Sequence, residues 1–138
     1  MVMALNDELT SVGEYKAEWS EILEISIKKQ KIYKSIGLKT HIERRHPDCL
    51  EYLDLIPDII ENPDIVGINP REAPHQSIEL IKQYDSNIMI GIKLDLKKNY
   101  LYVATLHELS EYKINKRINK RLYSGRLKKI DKNKLQKY

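Results

Sequence analysis

The sequence predicts an α+β domain in which N-terminal helices pack on one face of a four- or five-stranded antiparallel sheet, with a basic C-terminal helix. Two observations carry this prediction. Apolar residues recur at helical spacing through much of the first 60 residues. Residues 88–96 then place isoleucine or leucine at every second position, which is typical of a half-buried strand. Helices followed by hairpin-connected strands favour packing of the helices on one sheet face.

The first half of the chain carries the helical patterns. The apolar residues of 13–29 are spaced as on one amphipathic helix, and residues 31–36 are predicted to form a short strand. Residues 38–46 should form a second helix. Pro47 can open the helix that follows, because the N–H that proline lacks would be unpaired in a first turn. Pro57 lies inside the next apolar run and predicts a kink or a break there.

Strand-like segments dominate the second half of the chain. The predicted strands cover residues 65–69, 77–84, 88–96 and 100–109, and they are separated by a proline-containing loop and two polar turns. A basic helix is predicted over residues 111–123. The strands should therefore form an antiparallel meander that ends in this helix.

The turn at residues 97–99 decides which side chains share a face of the predicted hairpin. A two-residue loop puts Thr105 and His107 on the apolar face, whereas a three-residue loop puts them opposite Gly91 and Met89 on the polar face. A shift of one residue exchanges the faces of every side chain in a strand. We favour the three-residue loop, because it gathers polar residues on one face of the sheet.

The net charge of +4 is unevenly distributed along the chain. Residues 113–138 hold 11 Lys/Arg and one acid, a net charge of +10, whereas residues 1–112 hold 13 Lys/Arg and 19 Asp/Glu, a net charge of −6. A basic segment of this density attracts phosphate backbones, with an affinity that falls steeply as salt rises. The alternative is a solvated tail that only aids solubility.

Length and composition limit the class of protein. We expect the 138 residues to form a single compact domain overall. Within it, residues 1–30 are an N-terminal helical extension and residues 31–138 are the main domain. Cys49 is the single cysteine, so no internal disulfide can form, which fits a reducing, cytoplasmic setting. The sequence has no apolar run of about 18 residues and no secretion signal, so we expect no membrane partner.

The segment HIERRHP, residues 41–47, carries the densest set of chemically useful side chains. His41 and Arg45 share a helix face, and His46 precedes a proline that pushes it out of helical geometry. Imidazole can transfer protons near neutral pH and guanidinium can hold phosphate oxygens, which are the parts of metal-free RNA cleavage. We predict no metal site, because the histidines are five residues apart rather than four. The alternative is a polar helix face without a site.

Further polar candidates lie in the strands and the loops between them. His75 lies in the proline-containing loop and has no assigned role, and His107 is as readily structural as functional. The other candidates, whose grouping depends on the hairpin register, are Ser77, Glu79, Lys82, Lys93, Asp95, Thr105, Ser110 and Lys113.

Four segments in order resemble the phage-associated branch of the Barnase–EndoU–colicin–RelE-like (BECR) nuclease superfamily. They are a histidine–arginine helix with an NPD end (HIERRHPDCLEYLDLIPDIIENPDIVGINP), SIELIKQYDSNIMIGIKLDL, NYLYVATLHELSEYKINKRI and a basic SGRLKK. The resemblance covers roughly residues 31–130, so that residues 31–138 are interpreted as a BECR-like nuclease domain. One departure is the connection at residues 120–123, which is longer than the family pattern and puts the placement of Arg126 in doubt.

The resemblance implies a metal-independent ribonuclease without a cofactor, which leaves a 2′,3′-cyclic phosphate. The catalytic candidates that match the family's polar positions are His41, Arg45, His46, Lys82, Thr105 and Ser110. A histidine would be the general base or acid, the arginine and lysine would stabilise the phosphate, and a hydroxyl would position it. The candidates for nucleic-acid binding are Lys113, Arg117, Arg121, Arg126, Lys128 and Lys129.

Three functions are compatible with these features. The first is a cytoplasmic phage or bacterial effector or toxin that cleaves RNA, with tRNA among its candidate substrates and an antitoxin or immunity protein as its neutralising partner. The second is a non-catalytic, nuclease-derived protein that binds nucleic acid or inhibits the machinery acting on it. The third is a protein-interaction domain whose basic end contacts an acidic partner. RNA binding that weakens with salt separates the third from the others.

Overall fold

The computed structural model describes residues 9–68, 77–118 and 127–131. The strands are β1 (Leu9–Glu14), β2 (Lys31–Ser35), β3 (Ile65–Ile68), β4 (Ser77–Gln83), β5 (Asn87–Asp95), β6 (Tyr100–Glu108) and β7 (Leu127–Lys129). The helices are α1 (Ala17–Leu23), α2 (Gly37–Arg45), a 3₁₀ helix (Pro47–Leu55), α3 (Ile56–Glu61) and α4 (Glu111–Ile118). The α+β class is confirmed, and no helix in these ranges is long and apolar enough to cross a membrane.

The strands of the described ranges form one mixed seven-stranded sheet in the order β1-β2-β6-β5-β4-β3-β7. The predicted four- or five-stranded antiparallel sheet is therefore wrong in two respects. Strands β1 and β7 add an edge on each side, and β2 runs parallel to β6. The sequence pattern missed both edges, because β1 lies in a stretch with helical spacing and β7 is three residues long within a basic segment.

The two faces of the sheet have different covers. The first face carries the larger buried cluster and packs against α1, α2, the 3₁₀ helix and α3. The second face carries a smaller buried cluster around Ile81 and Met89, on which α4 packs through Ile114. The prediction that the N-terminal helices share one face is confirmed. The C-terminal helix lies on the opposite face.

The predicted helix over residues 13–29 is wrong at both ends, because its first residues belong to β1 and α1 ends at Leu23. Gly13 has a φ of 155°, and a Cβ placed on it would lie 2.6 Å from Cγ2 of Ile60. Glycine is needed here because β1 passes directly over α3. Tyr15 and Trp19, whose spacing suggested a helix, are buried and pack edge to face at 5.0 Å. Residues from 9 onward thus contribute to the main core.

The helical segment after β2 breaks where the prolines predict. Helix α2 ends at Arg45. The next residue, His46, has backbone angles of φ −143° and ψ 61°, and Pro47 opens the 3₁₀ helix. A second change occurs at Ile56, where α3 begins just before Pro57. The first break leaves His46 one residue beyond α2, in a non-helical conformation.

The β5–β6 hairpin places Thr105 opposite Gly91 and His107 opposite Met89, as the three-residue loop predicts. The loop itself has four residues, because Asp95 pairs with Tyr100. A bulge restores the predicted register further along β6, since the pairing shifts by one residue between Gly91 and Ile92. The pairing prediction is confirmed at the two polar residues, although the predicted loop length is wrong.

Candidate active site

On the side away from β5, the C-terminal half of β6 borders the helices rather than another strand. Strand β2 pairs with β6 only at Leu101 and Tyr102. Beyond these pairs, α2 and the 3₁₀ helix contact β6. A parallel partner strand that continues into a helix naturally carries that helix along the edge of its neighbour. The end of α2 therefore meets the end of β6, which brings two segments distant in sequence together.

Two histidines meet at this junction. The ring centroids of His46 and His107 are 4.9 Å apart, with the ring planes inclined by 35°. Both side chains are partly exposed. Nδ1 of His107 lies 2.9 Å from the carbonyl oxygen of Glu108. Because a carbonyl oxygen only accepts hydrogen bonds, Nδ1 must donate, which leaves Nε2 of His107 for a substrate.

The surroundings of His46 favour its neutral form. Partial burial lowers the pKa of His46 most, and the positive charges of His107, His41 and Arg45 lower that pKa further. Each nearby cation disfavours a second positive charge. A histidine that stays neutral near pH 7 can accept a proton, so His46 has the properties of a general base. The predicted residues His41, Arg45 and His46 are thus close enough to interact.

The segment that holds His107 is tied to the 3₁₀ helix. The hydroxyl of Tyr52 donates to Oε1 of Glu108 at 2.8 Å. This hydrogen bond is the largest of the effects that raise the pKa of Tyr52 to about 12. Burial raises the pKa of the Cys49 thiol, which also lies at the backbone of Glu108. These contacts fix the carbonyl of Glu108 that orients the ring of His107.

Thr105 lies beside His107 on the second face of the sheet. The two residues are separated by one position on β6, which is about 7 Å along a strand. Thr105 packs over the bare backbone of Gly91, where a Cβ would come within 3.1 Å of Cγ2 of Thr105. The predicted hydroxyl of Thr105 is therefore positioned next to the histidine pair.

Arg117 is held by a buried ion pair rather than exposed for nucleic acid. Its guanidinium contacts the carboxylate of Glu79, and the two side chains are only 14% and 6% exposed. Glu79 projects from β4 opposite Gly91, so the pair joins α4 to the second face. Within the described ranges, Arg117 Nε has no hydrogen-bond partner. The predicted role of Arg117 in nucleic-acid binding does not match this placement.

Two predicted catalytic residues, Lys82 and Ser110, make hydrogen bonds within the protein. The amine of Lys82 donates to the carbonyl oxygen of Asn62 at 2.9 Å, and Lys82 pairs with Ile88 on the first face. Ser110 begins α4, where its hydroxyl accepts from the backbone N–H of Lys113 at 3.2 Å. The Ser110 hydroxyl can still donate a hydrogen bond, because this cap uses only one of its acceptor sites. Lys82 lies on the sheet face opposite to that of His107, so the structure does not bring it to the histidine pair.

The remaining predicted nucleic-acid contacts are spread over the molecule. Lys113 is exposed on the first turn of α4, and Lys129 is exposed on β7. Lys128 donates to the carbonyl oxygen of Ile22 at 3.2 Å, which ties β7 to α1. Arg121 and Arg126 lie outside the described residues, as does His75.

No role was assigned from the sequence to His107, or to Tyr52 and Cys49, which contact the neighbouring Glu108. A histidine two residues beyond a threonine on an alternating strand was a signal, since both had to share one face. That signal gave no partner for His107. His46 became its neighbour only through the parallel pairing of β2 with β6, which no local pattern contains.

The comparisons with known proteins identify a family. No curated protein and no solved structure matches the chain. The family model described as phage-Barnase-EndoU-ColicinE5/D-RelE like nuclease3 matches residues 10–116, which include β1 through most of α4 and the whole histidine junction. The resemblance to the phage branch of the BECR nucleases is therefore confirmed, and the chain belongs to this phage BECR-like nuclease family.

Proposed function

We propose that the protein is a metal-independent endoribonuclease that cleaves RNA by attack of a ribose 2′-OH on the adjacent phosphodiester. The observation that carries this proposal is the contact of His46 with His107 within a nuclease family domain. Two imidazoles at one site can supply the base and the acid that such a cleavage needs. The attacking oxygen comes from the RNA itself, so the reaction requires no added nucleophile.

His46 acts as the general base in this proposal, and His107 acts as the general acid. His46 takes the proton of the 2′-OH, whose oxygen bonds to phosphorus as the bond from phosphorus to the 5′-oxygen breaks. His107 delivers a proton from Nε2 to that leaving oxygen. The products are a 2′,3′-cyclic phosphate and a 5′-hydroxyl. Thr105 positions the phosphate, while His41 and Arg45 offset its charge.

A non-catalytic, nuclease-derived nucleic-acid-binding protein is the second candidate. The observation that favours it is that several cations predicted to bind phosphate have partners within the protein. Lys82, Arg117 and Lys128 are each held by protein oxygens. Fewer cations therefore remain near the histidines to stabilise charge on phosphorus. The basic segment 113–138 could still bind a phosphate backbone.

Incubation with total RNA and with a tRNA mixture in EDTA tests the proposal. We expect discrete fragments that end in a cyclic phosphate, formed by the wild-type protein and not by a His46→Ala, His107→Ala double variant. Salt-sensitive RNA binding by both proteins without cleavage would instead support the second candidate. A cytoplasmic effector of this kind should also arrest its host on expression, unless an antitoxin or immunity protein is present.

The pKa of His46 should rise when His107 is replaced by glutamine. Among the charges near His46, that of His107 lowers its pKa most, so removing it should move the pKa back toward its ordinary value. NMR titration of the His46 ring protons measures this shift. Lys39→Gln, which removes a cation elsewhere on α2, is the matched control. An unchanged His46 titration in His107→Gln would mean that the two rings do not interact in solution.

A further inference from the structure

Three tyrosines lie together at the opposite end of β6 from the histidines. Tyr33 and Tyr100 meet edge to face with ring centroids 6.0 Å apart, and Tyr100 and Tyr102 are tilted at 5.8 Å. Each of the three side chains is partly exposed. We call Tyr33, Tyr100 and Tyr102 the tyrosine strip.

The tyrosine strip does not serve the core as other tyrosines do. Tyr52 and Tyr84 pack against the main buried cluster, and their hydroxyls donate to carboxylates. The strip tyrosines belong to neither buried cluster of the described residues. Aromatic rings that stand partly exposed in a group, without a place in the core, are suited to contact with a ligand.

The strip shares the second face of the sheet with the candidate active site. Lys93 pairs with Tyr102, and Gly91, two residues before it on β5, pairs with Thr105. Residues two apart on a strand point to the same face, so Tyr102 and Thr105 lie on one side. From Tyr102 to His107 the distance is roughly 16 Å along the strand, at about 3.3 Å per residue. A short oligonucleotide can span that length.

We propose that the tyrosine strip stacks unpaired bases of single-stranded RNA whose scissile phosphate lies beside the contacting rings of His46 and His107. This inference rests on the proposed function and adds the substrate class, which is single-stranded rather than duplex RNA. Stacking on aromatic rings requires a free base face, which a duplex buries between its neighbours. The tyrosine strip thus binds bases near the cleaved phosphate with little preference among them.

Binding of a fluorescein-labelled, fully 2′-O-methylated RNA strand tests this inference by anisotropy. The probe has no 2′-OH, so its binding does not depend on whether the protein cleaves. The same strand annealed to its complement is the duplex probe. We compare wild type with a Tyr100→Leu, Tyr102→Leu variant and with a Tyr100→Phe, Tyr102→Phe variant. Tyr112→Leu is the matched control, because Tyr112 is 69% exposed on α4 and outside the strip.

We expect wild type to bind the single strand more tightly than the duplex. The leucine variant should lose about tenfold or more in affinity for the single strand, while the phenylalanine variant and the control retain it. Equal affinity of the leucine variant, equal loss in both strip variants, or no binding of the single strand by any protein would overturn the inference. Thermal unfolding of each variant establishes that it is folded. Cleavage in EDTA judges the proposed function separately.

Discussion

Replacing either His46 or His107 by alanine should slow RNA cleavage by about 10²–10⁴-fold, the usual contribution of a positioned acid or base. The two imidazoles contact each other, and in the proposed reaction each has a separate proton to move. Because they act in one step, the double variant should be little slower than the worse single variant. Single-turnover cleavage of one RNA substrate by the three variants measures this.

His41→Ala separates a role in charge stabilisation from a role in proton transfer. His41 affects His46 through its charge, and no contact joins it to His107 in the described residues. Its loss should therefore slow cleavage much less than loss of either paired ring. A result in which His41→Ala abolishes cleavage while His107→Ala leaves it intact would move the acid–base pair to His41 and His46. Thermal unfolding of each variant separates lost chemistry from lost structure.

Local patterns were sufficient for most of the fold. The alternation in β5 and the prolines at residues 47 and 57 each act within a few residues, and the elements they predict are present. Strand β1 was not predicted, because the spacing of Tyr15 and Trp19 suggested one long helix. Both side chains are instead buried where the chain turns from β1 into α1. Edge strands that are short or polar leave little periodicity to detect.

The candidate site could not be predicted from any single segment of the sequence. The end of α2 could be predicted from Pro47, and the face of His107 from the hairpin. Their contact requires β2 to lie parallel to β6, which is a pairing across about 70 residues of chain. Charge patterning gave no indication of partners within the protein. Arg117 and Lys128 looked like backbone contacts because they lie in a basic segment, whereas each has a partner within the protein.

Removing the carboxylate of Glu79 should destabilise the fold by about 3–5 kcal/mol, the cost of leaving a buried charge without its partner. The Glu79→Ala variant strands the guanidinium of Arg117 between α4 and the sheet, where that side chain is only 14% exposed. Chemical denaturation measures the change in the free energy of unfolding. Lys16→Ala removes the more exposed Lys16–Glu61 pair and is the control, with an expected cost below about 1 kcal/mol.

Replacing both partners distinguishes an anchor from a ligand-binding arginine. A Glu79→Leu, Arg117→Met variant has no buried charge and keeps apolar volume, so it should recover much of the stability lost in Glu79→Ala. If Arg117 only anchors α4 on the second face, this double variant should also cleave RNA at close to the wild-type rate. If Arg117 contacts phosphate, the double variant should be stable yet lose cleavage or RNA affinity. A cost below 1 kcal/mol for Glu79→Ala would mean that the ion pair is not buried in solution.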